Sequence, residues 1–295
     1  MFEEYEVIAH APMREYTTLK LGGPADYLAF PRSTGEIAGL MARARALGMP
    51  VTVIGRGSNL LVRDGGIRGL VIRMGKNFSR VEREGSALRA QAGASLSAVS
   101  ALAVEEGLSG LEFASGIPGT VGGGLTMNAG AYGGEMAQVV EEAIGLDANG
   151  NEMRLSREEL AFGYRRSAVA EKGMIVTEVV FRLSEGDPAE IRSKMTDYNH
   201  RRAEKQPLDL PSAGSTFKRP EGAFAAALID QCGLKGYVVG GAQVSVKHAG
   251  FLINRGSSSR DFLALMAHVA QVVQERTGYA LEPEVRIIGE EKEGE

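Results

Sequence analysis

Residues 116–135 read GIPGTVGGGLTMNAGAYGGE, and eight of the twenty are glycine, where ordinary composition supplies roughly one or two. Glycine weakens helix and strand alike. Such density therefore fits a loop whose backbone takes positive φ angles or closes on something flat and bulky, and a cofactor answers that description. A second cluster, Gly55-Arg56-Gly57-Ser58-Asn59, directly follows the β-branched run Val51-Thr52-Val53-Ile54. There a strand hands over to a turn able to offer backbone N–H groups to phosphate.

Upstream of that turn, Ser33 and Glu36 form a capping-box pair ahead of Ile37, Leu40, Met41, Ala44 and Leu47, one helical stripe that stops at Gly48. β-prone runs at 27–30 and 51–54 flank it. The resulting β-α-β pattern has the first glycine turn at its carboxyl end, where α/β sheets commonly take ligands. Downstream, β-prone stretches at 69–73, 87–92 and 174–183 surround a helical segment at 95–106 and the long glycine-rich loop. Asp187, Pro188 and Glu190 supply an N-cap, a first-turn proline and an acid at N3 for a helix running to about Ala203. A further helix at 259–276 carries Phe262, Leu263, Met266, Val269, Val272 and Val273 on one side and ends at Gly278. The tail at 290–295 is too charged and short to fold alone. Together these patterns predict an α+β chain.

At 295 residues the chain has room for two domains, or three small ones. Its 33 basic and 37 acidic residues give a formal charge of −4, which argues against nucleic acid as the main partner. The opening MFEEYEVIAH lacks the basic and apolar regions of a signal peptide, and no apolar run approaches a membrane span. A soluble, cytoplasmic protein is expected. Cys232, the single cysteine, has no intrachain disulfide partner; it reads as a buried, inert thiol at a helix end.

The glycine turn is not a Rossmann fingerprint. Position 60 is Leu where the third glycine would stand, and residues 65–81 contain neither Asp nor Glu to take a ribose hydroxyl. No Gly-Lys-Ser/Thr follows, so it is not a P-loop. What remains is a phosphate-facing turn paired with a second glycine-rich wall about 60 residues later, an arrangement suited to a long, flat, two-ended cofactor.

Seven strings then carry a likeness: TLKLGGPA at 18–25, GRGSNLLV at 55–62, GIPGTVGG at 116–123, NAGAYG at 128–133, FGYR at 162–165, AGS at 213–215 and PEVR at 283–286. In this order they closely resemble the UDP-N-acetylenolpyruvoylglucosamine reductases, from about residue 17 to 289. The resemblance implies the FAD-binding fold of the vanillyl-alcohol oxidase superfamily in two subdomains, 1–73 (joined by a C-terminal strand segment, 279–295) and 74–205, with a substrate-binding domain at 206–278. It implies an NADPH-dependent flavoenzyme that reduces an enolpyruvyl ether in peptidoglycan precursor synthesis. His10, His200, His248, His268 and Cys232 all lie outside the glycine-rich segments, so FAD is expected to be non-covalent. No metal and no obligatory protein partner are implied.

By the same likeness FAD would be held by Gly55, Arg56, Gly57, Ser58, Asn59 and Leu60, and by Ile117, Pro118, Gly119, Val121, Gly122, Gly123, Asn128, Ala129, Gly130 and Tyr132. Arg165 would face the substrate carboxylate, Ser215 would donate the proton, and Glu284 would assist it. Tyr164, Arg201, Lys205, Lys218, Arg219, His248 and Asn254 would bind substrate. The residues by themselves leave blander readings open. Arg165 and Arg166 could be a surface pair, Gly214-Ser215-Thr216 an ordinary turn, and Glu284 the exposed start of a strand at 284–288. Arg201 and Lys205 could simply complement a helix dipole. Arg219 and His248 stand where longer relatives carry asparagine and glutamine, and the 50 positions from Arg165 to Ser215 fit the family's shorter type, without the tyrosine-lid insertion. A flavin-dependent oxidase of the same superfamily, or a non-catalytic nucleotide-sugar binder, are the rival readings.

Overall fold

In the computed structural model, which describes residues 1–292, the expected opening helix forms as α1, Thr34–Ala46. Ser33 caps it by accepting the Glu36 N–H, while the Glu36 carboxylate reaches back to the Arg32 N–H. Ile37, Leu40, Met41 and Ala44 are buried, but Leu47, expected on the same stripe, is 38% exposed because the helix has already ended. Helices α2 (Leu96–Glu105), α3 (Val121–Thr126), α4 (Met136–Val139) and α5 (Pro188–Lys205) follow, then α6 (Ala225–Gln231) and α7 (Ser259–Thr277). The last three positions of the expected segment 279–295, and of the charged tail, lie outside the described residues.

The chain divides into two compact units. The first comprises Met1–Ile8, Tyr27–Arg56 and Gly69–Arg202; the second comprises Ala9–Asp26, Gly57–Arg68 and Ala203–Glu295. In the first, five antiparallel strands run in the order Glu152–Ser156, Val140–Leu146, Ile175–Arg182, Ala87–Gln91, Val81–Glu84. Phe78, Leu88, Val99, Leu125, Val179 and Phe181 are among the side chains that fill its core. Val51–Ile54 lies parallel to Ile67–Arg73 with Val51 opposite Leu70. The β-α-β expectation holds in sequence order but not in pairing, since Ile67–Arg73 stands between Pro24–Ala29 and Val51–Ile54.

The second unit holds a four-stranded antiparallel sheet in the order Ser212–Ser215, Phe251–Asn254, Ala242–Val244, Val238–Val239. Helix α7 packs Phe262, Leu265, Met266, Val269 and Val273 into its core, together with Leu19, Leu21 and Leu61 from early in the chain. It stops where Gly278 adopts a left-handed φ of +78°. Cys232 is the buried C-cap of α6. Arg286–Ile288 lies parallel to Leu60–Val62. The last strand therefore starts at Arg286 rather than at Glu284, because the N–H groups of residues 284 and 285 turn aside to the Thr216 carbonyl. Among the described residues no helix is long and apolar enough to cross a membrane.

Candidate active site

The first glycine turn leaves Val51–Ile54 at Gly55. A Cβ there would lie 2.3 Å from Thr120 Oγ1, so only glycine lets this turn touch the glycine-rich segment. Gly57 has a φ of +67°, and a Cβ on it would lie 2.5 Å from the Tyr16 carbonyl oxygen. Among the described residues no backbone carbonyl takes the N–H of Arg56, Gly57 or Ser58, which leaves those donors for an anionic ligand. Asn59 is committed to the protein instead: its Nδ2 donates to the Glu284 carbonyl at 3.0 Å and its carbonyl accepts the Arg286 N–H. Leu60 pairs with Arg286 in the parallel register.

Residues 116–135 are not the plain loop that their composition predicts. They contain α3, capped by Thr120 through the Gly123 N–H, and a tight hairpin pairing Gly130–Ala131 with Gly134–Glu135. The glycines serve packing here. A Cβ on Gly122 would lie 2.9 Å from Ala92 Cβ and one on Gly124 3.0 Å from Leu96 Cδ1, whereas one on Gly123 would meet only the capping Thr120 hydroxyl, at 3.4 Å. The helix thus presses one side against its own unit and keeps a bare backbone at exposed Gly123. Around it, Ile117 packs on the core, Pro118 is exposed, the Gly119 carbonyl accepts the Leu96 N–H, and the Val121 N–H donates to Ala94. The Ala129 N–H closes back on Gly124. Tyr132, left-handed at φ +53°, stacks on Tyr198 with centroids 4.6 Å apart. Within the first unit, Gly55 against Thr120 and a glycine-rich segment with neither His nor Cys on it fit a flat, non-covalent cofactor such as FAD.

Arg165 sits in a two-residue loop closed by reciprocal backbone bonds between Gly163 and Arg166, at 3.0 and 3.2 Å. Its φ is +56°, a left-handed conformation that costs a non-glycine residue about 1 kcal/mol or more. Its guanidinium carbon is 5.2 Å from the ring centroid of Tyr164, which is 53% exposed. Asn128 is buried at φ +42°; its Nδ2 donates to the Gly163 carbonyl at 3.1 Å and its Oδ1 accepts the Ala137 N–H at 3.0 Å.

In the second unit Ser215 ends its strand opposite Phe251, after a register shift that follows Ser212, and Gly214 precedes it at φ +76° with open space where a Cβ would stand. The neighbouring Thr216 organises this corner. Its N–H donates to Gly250, its hydroxyl accepts the Leu252 N–H, and its carbonyl takes the Glu284 N–H at 2.8 Å. Ser215 and Glu284 are thereby brought to either side of one residue. Lys218 pairs with Glu282 at 3.0 Å, and the Arg219 guanidinium carbon stands 3.8 Å from the ring centroid of exposed Phe224.

His248 accepts the Gly250 N–H on Nδ1 at 3.2 Å, which leaves Nε2 as the protonated nitrogen of the neutral ring. Burial lowers its pKa, and the Lys235 charge adds to the effect. Asn254 donates to the Leu19 carbonyl and accepts the Gly256 N–H. Helix α5 does extend to Lys205, so Arg201 and Lys205 share a face, but Arg201 is paired with Asp197 at 2.8 Å. Among the described residues no cluster of His, Cys, Asp or Glu could hold a metal ion.

Thr120, Ser167, Thr216 and Arg202 were not singled out by sequence. Thr120 is an N-cap hidden by the glycines behind it, and Thr216 and Ser167 act through backbone bonds that leave no pattern. Arg202 donates to the Gly116 carbonyl, with its Nε buried and lacking a hydrogen-bond partner, and burial lowers its pKa.

Residues 25–156 match the family model of an FAD binding domain, and residues 206–288 match that of the UDP-N-acetylenolpyruvoylglucosamine reductase C-terminal domain. The chain is 50% identical to the UDP-N-acetylenolpyruvoylglucosamine reductase of Limosilactobacillus fermentum, over 98% of this chain and 96% of that one. It is 52% identical to the enzyme of the same name from Agathobacter rectalis, over 95% and 93%. Among solved structures, the UDP-N-acetylenolpyruvylglucosamine reductase of Thermus caldophilus superposes with a TM-score of 0.82 at 37% identity, covering 96% of this chain and 98% of that one. With about half of its residues identical to these relatives over nearly the whole chain, the chain belongs to the UDP-N-acetylenolpyruvoylglucosamine reductase family.

Proposed function

We propose that the protein uses NADPH to reduce the enolpyruvyl group of UDP-N-acetylglucosamine enolpyruvate to the lactyl ether, giving UDP-N-acetylmuramate for peptidoglycan precursors in the cytoplasm. The observation that carries this reading is 50% identity, across 98% of the chain, to a reductase named for that substrate. FAD, when bound, would supply the hydride chemistry between NADPH and the enolpyruvyl methylene carbon. Gly55 to Leu60 and the segment from Ile117 to Tyr132 would hold it, in subdomains comprising 1–73 with 279–295 and 74–205, while 206–278 serves the substrate.

The protein's own residues handle charge and the proton. Negative charge develops on the carboxylate and the carbon beside it, and the Arg165 fork suits a planar carboxylate better than a lysine would. Ser215 Oγ–H supplies the proton to that carbon. A hydroxyl is a weak acid, so the step depends on a strongly basic carbon and on nearby positive charge for the departing oxygen. Glu284 polarises the enol or restores the Ser215 proton. Tyr164, Arg201, Lys205, Lys218, Arg219 and His248 are the proposed contacts to the carboxylate, diphosphate and uridine, with no macromolecular partner required.

Anaerobic mixing of the yellow holoprotein with NADPH, followed by the enolpyruvyl substrate, tests the proposal. Bleaching by NADPH and recolouring by substrate are expected. Bleaching without substrate-dependent recolouring would refute the reductase, and peroxide formation with a small alcohol would favour the oxidase.

A further inference from the structure

We infer that Ser167 and Asn128 are positioning residues for Arg165, together stapling its loop at both flanks to the end of α3. The inference rests on the proposed role of Arg165. On one flank, Asn128 Nδ2 holds the Gly163 carbonyl. On the other, Ser167 Oγ donates to the Thr126 carbonyl at 3.2 Å. Thr126 is the last residue of α3, so that carbonyl has no partner within the helix and the hydroxyl satisfies it. Both clamping residues are buried, at 2% and 5% exposure, whereas the Tyr164 they flank is 53% exposed.

The loop needs such restraint. Its reciprocal bonds close only four residues, and Arg165 occupies a left-handed φ that an unrestrained arginine would leave. Asn128 is left-handed too, a conformation asparagine tolerates better than most residues because its short side chain bonds locally. At its other end α3 begins beside Thr120, the residue against which Gly55 is packed. One short helix therefore links Gly55 to the arginine loop, all within the first unit. Ser167 and Asn128 themselves act through Arg165.

The test compares Ser167→Ala and Asn128→Gly in the holoprotein; the glycine keeps the left-handed backbone while removing both side-chain bonds. Trypsin reads the restraint directly, because Arg165 and Arg166 are cleavable only when the loop opens. Each variant is expected to be cut there roughly tenfold faster than wild type, the effect of one lost buried hydrogen bond at its upper end. Reoxidation by the enolpyruvyl substrate is expected to slow by a similar factor in each. In an Arg165→Ala background, adding Ser167→Ala should change that rate less than twofold. Ser167→Ala should retain flavin as wild type does. Unchanged trypsin cleavage in both variants, or a full Ser167→Ala effect on reoxidation without Arg165, would overturn the inference. A wild type that never reoxidises with substrate would instead overturn the proposed function, leaving the trypsin comparison to decide the clamp.

Discussion

Ser215 occupies a corner built by its neighbour, and that arrangement sets what its removal should do. Thr216 carries the backbone bonds to Gly250, Leu252 and Glu284, so Ser215→Ala should leave the fold and flavin reduction by NADPH intact. Reoxidation by substrate should slow by about 10²–10⁴, the usual worth of a positioned acid; stopped-flow absorbance separates the two steps, and equal losses would make the serine structural. Gly55→Ala has a different expected signature. Its Cβ would drive into Thr120 Oγ1, and overpacking of about 1–3 kcal/mol should appear as lost flavin in the purified protein. His248 gives a pH signature. Burial holds its native pKa below the ordinary histidine value of 6.5, so the unfolded chain binds its proton first as pH falls. Stability should therefore be complete above about pH 6.5 and decline as pH drops from there toward the lowered native value. His248→Gln should flatten that decline in denaturant titrations at pH 5 and 7.5. Sequence named Ser215, Glu284 and Arg165 only through family strings. It missed Thr216 and Ser167 because a residue that works through main-chain bonds looks like any other threonine or serine.

Helices were the legible elements, and their ends were legible for physical reasons. Ser33, Ser95 and Asp187 precede their helices as N-caps or cap-like acceptors, and Gly278 closes α7. Helix α3 was illegible because Gly122 to Gly124 argue against helix by propensity, while close packing on Ala92 and Leu96 favours glycine at 122 and 124. The final strand was read two residues too early at Glu284, since alternation cannot reveal that a loop carbonyl 68 positions upstream will claim its first N–H groups. Helix α7 owes its start partly to a distant residue. Asp64 accepts the Ser259 N–H at 2.9 and 3.0 Å and the Ser258 hydroxyl at 3.1 Å, and its own N–H returns to Ser259 Oγ. Asp64→Ala should cost about 1–2 kcal/mol, a fall of roughly 3–6 °C in Tm by calorimetry. An unchanged Tm would mean that Ser258 caps the helix unaided.

Neither unit is a contiguous stretch, as the chain passes between them after residues 8, 26, 56, 68 and 202. Composition and charge gave the size and class of the molecule, but no linker marks these crossings, because each falls in a strand, turn or helix rather than a flexible spacer. The fragment 203–292 should not fold alone. It lacks Leu19, Leu21 and Leu61, all essentially buried in its core, and the strand Leu60–Val62 that pairs with Arg286–Ile288. Circular dichroism and proton NMR of that fragment check the point; a dispersed spectrum with a cooperative melt would refute it. The parallel pairing also has a consequence in time. Leu60 leaves the ribosome 226 residues ahead of Arg286, the residue it will face. At the usual 5–20 residues per second that is a wait of roughly 10–45 s, during which the leucines destined for the second core have no finished core to enter. The second core thus waits for the strand at Arg286, and a nascent chain cut short before that residue should be prey for proteases rather than a smaller, weaker enzyme.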